Sequence, residues 1–143
     1  PQYAFSITSL ANSMVNLAMT KNNNSIYSDP VKLLLKAIIK FPELIGGKNR
    51  FDTEVIKHTK GKIFCKGGAE GVFLFSDISK NIGGIIKVID GNERAVPPIA
   101  MKIFKKLNLL NKNEKAKLIN WSEKKLLNHA KIKVGKIFAK LIN

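Results

Sequence analysis

The sequence contains very few residues of the types that cross-link a chain or bind metals. It has one cysteine, Cys65, and two histidines, His58 and His129. A single cysteine excludes a disulfide within the chain, and no C-x-x-C or H-x-x-x-H spacing indicates a metal site. We therefore expect a protein without a metal or other cofactor, in the reducing setting of the cytoplasm.

Long apolar runs are also lacking. The longest, such as AVPPIAM and GGIIKVI, fall far short of the roughly 18 residues that indicate a membrane span. The first residues lack the charged region, the apolar region and the cleavage site of a signal peptide. We expect no association with a membrane. Because the chain starts at Pro1 rather than at methionine, the sequence favours a protein whose beginning is missing.

Acidic residues and arginine are scarce. Against 25 basic residues there are 10 acidic ones, which gives a net charge of +15. Such a charge is typical of proteins that bind nucleic acids, but only Arg50 and Arg94 carry the guanidinium fork that leads in specific phosphate and base contacts. The lysines stand singly or in pairs among apolar residues. This spacing favours a solvated lysine surface over a nucleic-acid partner.

The first part of the chain has a helical pattern. Apolar residues recur every three or four positions over residues 6–21, which predicts an amphipathic helix. A second helix is predicted over residues 31–40, with SDP as its cap and Pro30 at the first helical position. FPELIGGKN has the composition of a loop. RFDTEVIKHTKG predicts a short helix, with Gly61 just beyond its end as a C-cap.

After Gly61 the pattern changes to short segments rich in valine, isoleucine and phenylalanine. KIFCK, GVFLFSD and GGIIKVID predict three strands joined as two antiparallel hairpins. GNERAVPPIAMKIFKKLNLL predicts a turn and then a helix that begins at Pro98 or is kinked there. Residues 113–119 predict a lysine-rich helix, and KIKVGKIFAKL a last strand. The predicted fold class is α+β, a small antiparallel sheet flanked by helices.

The segment CKGGAEGVF, residues 65–73, places three glycines in what otherwise has the pattern of a strand. Glycine in a strand interior costs stability unless the backbone turns, bulges or lies close to another group. From composition alone, Lys66 is a lysine before a turn. Strand alternation directs Cys65 and Lys66 to opposite faces, which favours a buried packing role for the cysteine over a nucleophilic one.

Two charged features of the hairpin region lead to further expectations. Asp90 and Arg94 flank the turn around Gly91, and we predict an ion pair that fixes this turn. Lys87 lies among isoleucine and valine, and alternation places it opposite Ile86. Lys87 is thus either exposed on the outer face of the sheet or directed inward near a site.

Three longer segments carry a resemblance to a known family. PELIGGKNRFDTEVI, KGGAEGVF and IIKVIDGNERA occur in this order and at these spacings in the bacterial L-asparaginase II family, which this sequence resembles. PQYAFSITSLANSMVNLAM is similar to the segment after that family's Asp-Gly-Cys-Gly turn, and NHAKIKVGKI to its closing strand. The resemblance spans nearly all of this chain, but it covers only about the second half of the sequence that is typical of the family. We therefore expect residues 1–143 to be the carboxy-terminal half of one domain.

The resemblance implies a fold similar to part of the serine β-lactamases and glutaminases. It also implies an amidohydrolase that converts L-asparagine to aspartate and ammonia by a serine–lysine mechanism, and a possible homodimer. The lysine of the family's K-x-G-A-E-G motif matches Lys66, the implied catalytic residue. Gly67, Gly68 and Glu70 are the implied substrate-binding residues. Small residues after a strand lysine also occur in the K-T-G box of serine β-lactamases, where substrate lies against the strand.

The serine partners of Lys66 are expected upstream, in S-x-x-K and C-S-G-K-H type motifs. SEKK, residues 122–125, spells S-x-x-K in the wrong part of the chain and is interpreted as a chance match. The segment alone is therefore expected to be inactive. Some relatives resemble a zinc-binding form with several cysteines, one of them near the position of Asp52. Aspartate there removes one expected ligand, so no metal is predicted.

Two alternatives to the enzyme remain. One is a basic nucleic-acid-binding module, for which binding would depend steeply on salt and would not depend on Lys66. The other is a non-catalytic structural relative that keeps the sheet and lacks the site.

Overall fold

The structure is a computed structural model that describes residues 3–21 and 23–142. It has the predicted α+β architecture, with a three-stranded antiparallel sheet of order β1-β2-β3 and a separate two-stranded sheet, β4-β5. The helices are Ile7–Thr20 (α1), Ser28–Lys40 (α2), Glu43–Gly46 (α3), Phe51–His58 (α4), Val96–Lys106 (α5) and Lys112–Leu118 (α6). The strands are Ile63–Gly68 (β1), Val72–Asp77 (β2), Ile82–Lys87 (β3), Glu123–Leu127 (β4) and Lys133–Phe138 (β5). Within the described ranges, none of the helices has the length and apolar character needed to cross a membrane.

The chain divides into two compact units. The first comprises the residues up to Gly68 together with Phe73–Ile85, and the second comprises Ala69–Val72 and the residues from Ile86 onward. The first unit thus holds α1 to α4, all of β1 and most of β2 and β3. The second unit holds α5, α6 and the β4-β5 hairpin.

The core of the first unit forms where α4 and the strands meet. Phe51 of α4 and Phe73 of β2 pack with their ring centroids 5.3 Å apart, and α4 packs along β1. The buried apolar residues of this unit are Ala18, Leu35, Ile38, Phe51, Val55, Ile56, Ile63, Cys65, Phe73, Phe75 and Ile78. The predicted change from helical to strand periodicity at Gly61 therefore marks a real boundary, and β1 follows it directly.

Helix α1 packs against the backbone of strand β3. A Cβ atom at Gly83 would lie 2.3 Å from the backbone nitrogen of Val15 and 2.5 Å from the carbonyl carbon of Met14. The hydroxyl of Ser76 on the neighbouring strand donates a hydrogen bond to the Met14 carbonyl oxygen over 2.7 Å. Glycine at position 83 thus permits an approach that any side chain would prevent.

The helix starts differ in detail from the sequence predictions. Helix α1 is capped by the hydroxyl of Ser6, which accepts the Ser9 N–H over 3.0 Å. Helix α2 begins at Ser28, so Pro30 is its third residue and the prediction that it is the first was wrong. The first turn still accommodates Pro30, because the N–H groups of the first turn have no partner within the helix. The segment predicted as a loop, FPELIGGKN, contains the single-turn helix α3.

Helix α4 ends in a left-handed turn, as its glycine predicts, but that turn involves two residues. Lys60 and Gly61 have φ values of 52° and 73°. The Gly61 N–H donates to the Ile56 carbonyl over 2.9 Å, and the Lys60 N–H donates to the Lys57 carbonyl over 3.2 Å. These two bonds form a Schellman motif with Lys60 at the C′ position. Gly61 therefore occupies the C″ position, and the helix ends one residue earlier than it would if Gly61 were the C′ residue.

The second unit is built around α5. This helix begins at Val96, two residues before the predicted start, and Pro97 and Pro98 lie in its first turn, where proline is tolerated. Helix α6 opens with a capping box, in which Asn111 accepts from the Glu114 N–H and the Glu114 carboxylate accepts from the Asn111 N–H. The buried apolar residues of this unit are Ile86, Val96, Ala100, Met101, Phe104, Leu109, Leu110 and Leu118.

The β4-β5 hairpin follows α6 and packs against α5. Strand β5 confirms the predicted last strand, whereas β4 was not predicted. Strand β4 is largely exposed along its length, so it lacks the apolar alternation from which a half-buried strand is recognised. Lys125 pairs directly with Lys136 across the hairpin, and Glu123 of β4 accepts from the Lys136 ammonium over 2.8 Å.

We expect the pKa of Glu123 to reveal this contact. The hydrogen bond from Lys136 lowers the pKa of Glu123 from its ordinary value of 4.5, and the charges of Lys136, Lys133 and Lys125 add to the effect. Because the pKa is lower in the folded chain, the pair stabilises the fold above the unfolded-state pKa. That contribution is lost as the pH falls through the folded-state pKa. An NMR titration of Glu123 should give a value below 4.5.

In Lys136→Met, the pKa of Glu123 should return toward 4.5. Lys124→Met is the matched control, because Lys124 pairs with Ile137 in the ladder and is not among the charges that lower this pKa. An equal pKa in the unsubstituted chain and in Lys136→Met would contradict the assignment.

Candidate active site

Lys66 lies near the end of β1 with its side chain exposed, directly before Gly67 and Gly68. Its ammonium donates a hydrogen bond to the carbonyl oxygen of the adjacent residue, Gly67. The structure therefore places Lys66, Gly67 and Gly68 together on one strand. Strand β1 is at the edge of the three-stranded sheet, so one side of its backbone is not paired with another strand.

Cys65 faces the other way, as alternation predicts. It is fully buried and free, and its thiol lies 3.6 Å from the Asp52 carbonyl oxygen as a donor. Burial raises the pKa of the Cys65 thiol well above its ordinary value of 9.0. The charge of Asp52 raises it further, while Lys66 lowers it. A buried, protonated thiol is a weak nucleophile, which confirms the interpretation of Cys65 as a packing residue.

Asp52 is a buried polar residue in contact with this strand. It is the second residue of α4 and is 6% exposed. One carboxylate oxygen, Oδ2, accepts the Gly67 N–H over 3.1 Å. The other, Oδ1, accepts the N–H of the next residue, Thr53, over 3.0 Å. The carboxylate therefore links the start of α4 to the end of β1.

One glycine makes room for this carboxylate. A Cβ atom at Gly46, the last residue of α3, would lie 1.9 Å from Asp52 Oδ1, whereas one at Gly67 would lie 3.4 Å from Oδ2, an ordinary contact distance. The hydroxyl of Thr53 donates to the Gly47 carbonyl over 2.8 Å and holds the same loop against α4. The sequence segments PELIGG, FDT and KGG thus meet at one buried carboxylate, and the glycine at position 46 is explained by it.

Glu70 belongs to the second unit, in the turn between β1 and β2. Glu70 and Gly71 both have positive φ values, 57° and 66°, and the Val72 N–H bonds to the Ala69 carbonyl over 3.4 Å. Positive φ at both central residues is typical of a type I′ hairpin turn. Glutamate rarely adopts this conformation, so the turn must be held by other contacts.

Lys87 supplies one of these contacts. It is exposed on the sheet, as one of the two predictions for it stated, and its ammonium donates to the Glu70 carbonyl over 2.6 Å and to the Val88 carbonyl over 3.0 Å. The Val88 N–H bonds to the Gly71 carbonyl over 2.9 Å. Gly71 packs so closely that a Cβ atom there would lie 2.7 Å from Val88 Cβ. The Glu70 turn is thus fixed through its backbone, while the carboxylate remains exposed.

The next turn has the predicted ion pair. The Arg94 guanidinium lies 3.5 Å from the Asp90 carboxylate, and both side chains are about half exposed. Asp90 also accepts the Asn92 N–H over 2.9 Å. His58 is partly buried and lies 3.1 Å from the Glu54 carboxylate. These pairs stabilise local turns and helices and lie outside the Lys66 strand.

The residues near Asp52 do not fit a zinc ion. Both Asp52 oxygens accept backbone N–H groups, and Cys65 carries a buried thiol that holds its proton, whereas zinc binds thiolate, imidazole or free carboxylate groups. Among residues 3–21 and 23–142, no group of three or more His, Cys, Asp or Glu side chains is arranged to hold a metal.

Sequence reasoning named Lys66, Gly67, Gly68 and Glu70 but did not give Asp52 a role beyond a missing metal ligand. The available signal was the glycine pair of PELIGG followed five residues later by Asp52, but nothing in one sequence indicates that this acid contacts KGG.

Comparison with known proteins gives a family match that includes the segments meeting at β1. A search of curated proteins found no match to the chain. A model of the L-asparaginase II family matches residues 1–139, which includes PELIGG, FDT and KGGAEG. With nearly all of its length matched, the chain belongs to the L-asparaginase II family.

Proposed function

We propose that this chain supplies the lysine-bearing part of an active site that hydrolyses L-asparagine to aspartate and ammonia. The observation that carries the proposal is the position of Lys66, which is exposed near the end of an edge strand. The peptide that follows Lys66 donates its N–H to the buried carboxylate of Asp52. Membership of the family suggests an asparaginase-type amidohydrolase. The roles of individual residues below are part of the proposal.

An amide is a weak electrophile, so its hydrolysis needs an activated nucleophile and stabilisation of the oxyanion. In the proposed reaction, neutral Lys66 takes the proton of a serine hydroxyl as the serine oxygen attacks the carboxamide carbon. The C–N bond then breaks, and ammonia leaves with a proton returned to its nitrogen. Water attacks the resulting ester in the same manner, releasing aspartate and the serine hydroxyl.

The other three residues would bind the substrate. Gly67 and Gly68 have no side chains, so a substrate can lie against the strand. Glu70 has an exposed carboxylate on a turn fixed by Lys87, and it would accept hydrogen bonds from the α-ammonium group of asparagine. The pairing of the Glu70 carboxylate with this ammonium group would favour binding of a free amino acid over an amide that carries no charge.

The serine nucleophile is proposed to come from a segment encoded before this chain, within the same domain. Exposed apolar side chains of the first unit support this proposal. Tyr3, Ile26, Leu33 and Leu44 are 87%, 84%, 70% and 80% exposed. Large apolar side chains left exposed are the kind of surface that another segment or protein covers. We also propose a cytoplasmic location, because the chain has a single, free cysteine.

The experiment is to read the coding sequence directly upstream of Pro1 and to assay the protein that it encodes together with residues 1–143. We expect S-x-x-K and S-G-K-H type motifs upstream, release of ammonia from L-asparagine by the full-length protein, and none by residues 1–143 alone. A stop codon or an unrelated sequence before Pro1, or a full-length protein that releases no ammonia, would contradict the proposal.

A basic binding module is the second candidate, and the lysines of the β4-β5 hairpin favour it. Lys125 and Lys136 are direct neighbours across the two strands, and the two strands together hold four lysines and one acidic residue, Glu123. If this surface bound nucleic acid, log Kd for a short fluorescent duplex would rise steeply with the logarithm of salt concentration. Lys66→Ala would leave that binding unchanged.

A further inference from the structure

We infer that Asp52 is the positioning residue of the site and that it acts on Lys66 through the Gly67 peptide. The inference rests on the function proposed for Lys66 and adds a residue to it. The N–H group that Asp52 Oδ2 accepts over 3.1 Å belongs to the peptide bond that joins Lys66 to Gly67. The contact is therefore made to the peptide unit that directly follows the lysine.

The strand would otherwise be poorly fixed at this point. Two glycines follow Lys66, and glycine leaves the backbone more conformational freedom than any other residue. Strand β1 is also an edge strand, so alternate N–H groups face away from its neighbour and have no acceptor within the sheet. Asp52 supplies a partner to the Gly67 N–H. The side chain of Lys66 projects from a backbone that is held at its carboxyl side by this bond.

The carboxylate itself has a single available position. It is buried, and a buried carboxylate is tolerated when its oxygens accept hydrogen bonds. Oδ1 is fixed by the Thr53 N–H over 3.0 Å, and Gly46 leaves no space on the side of Oδ1. Because α4 holds the carboxylate rigidly, the peptide after Lys66 is placed by the core of the first unit rather than by its own turn.

The test uses two readouts on Asp52→Ala and Asp52→Asn. The first is amide hydrogen exchange of Gly67 in the full-length protein, followed by NMR, which does not require activity. We expect Gly67 to be protected in the unsubstituted chain and to exchange at least about tenfold faster in Asp52→Ala, since its hydrogen bond is lost. Asp52→Asn keeps the shape of the side chain and one acceptor oxygen, so the protection of the Gly67 amide should be intermediate.

The second readout is the steady-state hydrolysis of L-asparagine by the full-length protein. In Asp52→Ala we expect kcat to fall by about 10- to 100-fold with KM changed much less, because a misplaced base slows the proton transfer. Asp52→Asn should recover part of kcat. Val55→Ala is the control, since Val55 lies fully buried on the same helix and its truncation lowers stability without touching the Gly67 peptide.

Each outcome separates the inference from the proposed function. If Lys66→Ala loses activity while Asp52→Ala keeps its kcat, the inference is wrong and the proposed function stands. If Lys66→Ala is fully active, the proposed function is wrong. Unchanged Gly67 exchange in Asp52→Ala, or an equal fall of kcat in Val55→Ala, overturns the positioning role. If Asp52→Ala does not fold, Asp52→Asn, which has the same shape, decides the same question.

Discussion

Replacing Lys66 with alanine in the full-length protein is expected to lower kcat for ammonia release from L-asparagine by about 10²- to 10⁴-fold, the usual contribution of a general base. The reason is that the serine hydroxyl would have no group to accept its proton. The fold should be unaffected. Because Lys66 is exposed, its truncation should change the free energy of unfolding by less than about 0.5 kcal/mol.

Two further lysine variants make this result specific. Lys57→Ala removes an exposed lysine from α4 and should leave kcat unchanged. Lys66→Arg keeps a long basic side chain but cannot act as a base, because the guanidinium does not lose its proton in proteins. It should be as inactive as Lys66→Ala if Lys66 accepts a proton. Full activity in Lys66→Ala would refute the role assigned to this lysine.

The largest expected effect on stability is that of Gly83→Ala. The added methyl group would lie 2.3 Å from the backbone nitrogen of Val15 and 2.8 Å from Met14 Cβ. A helix backbone cannot move aside as a flexible side chain can, so α1 must shift away from the sheet. We expect the free energy of unfolding to fall by about 3 kcal/mol, the upper end of the usual range for overpacking a core.

Urea unfolding followed by far-UV circular dichroism measures this change. Gly135→Ala in β5 is the matched control, because a Cβ atom there would lie 3.6 Å from Leu126 Cδ1, an ordinary contact distance. Since glycine weakens a strand, Gly135→Ala should leave stability unchanged or raise it by about 0.5 kcal/mol. If the two variants were equally stable, α1 would not pack against β3 as described.

Much of the fold could be predicted from local pattern. The strands of the first sheet were identified because they are short, rich in β-branched and aromatic residues, and bounded by turn residues. Helix α5 and the turn at Gly91 were identified from proline and glycine. The starts of α2 and α5 were each placed two residues late, because a proline in the first turn does not specify which of the first positions it occupies.

The contacts that build the candidate site could not be predicted in this way. Asp52 and Gly67 are fifteen residues apart, and their hydrogen bond depends on how α4 packs against β1. No local periodicity encodes such a contact. The family resemblance gave Lys66 as an expected site residue. The contact between Asp52 and Gly67 is visible only in the folded structure. Strand β4 was missed for another reason, since its exposed residues lack the alternation that burial imposes.

The close approach of Gly46 to the Asp52 carboxylate has a consequence for how this protein can vary. A methyl group at position 46 would overlap Oδ1 at 1.9 Å, so a larger residue there is compatible with the fold only if residue 52 becomes smaller or turns away. Turning away would release the Gly67 peptide as well. Substitutions at the two positions should therefore be non-additive, and the tolerated pairs should be found together in related sequences more often than either change alone.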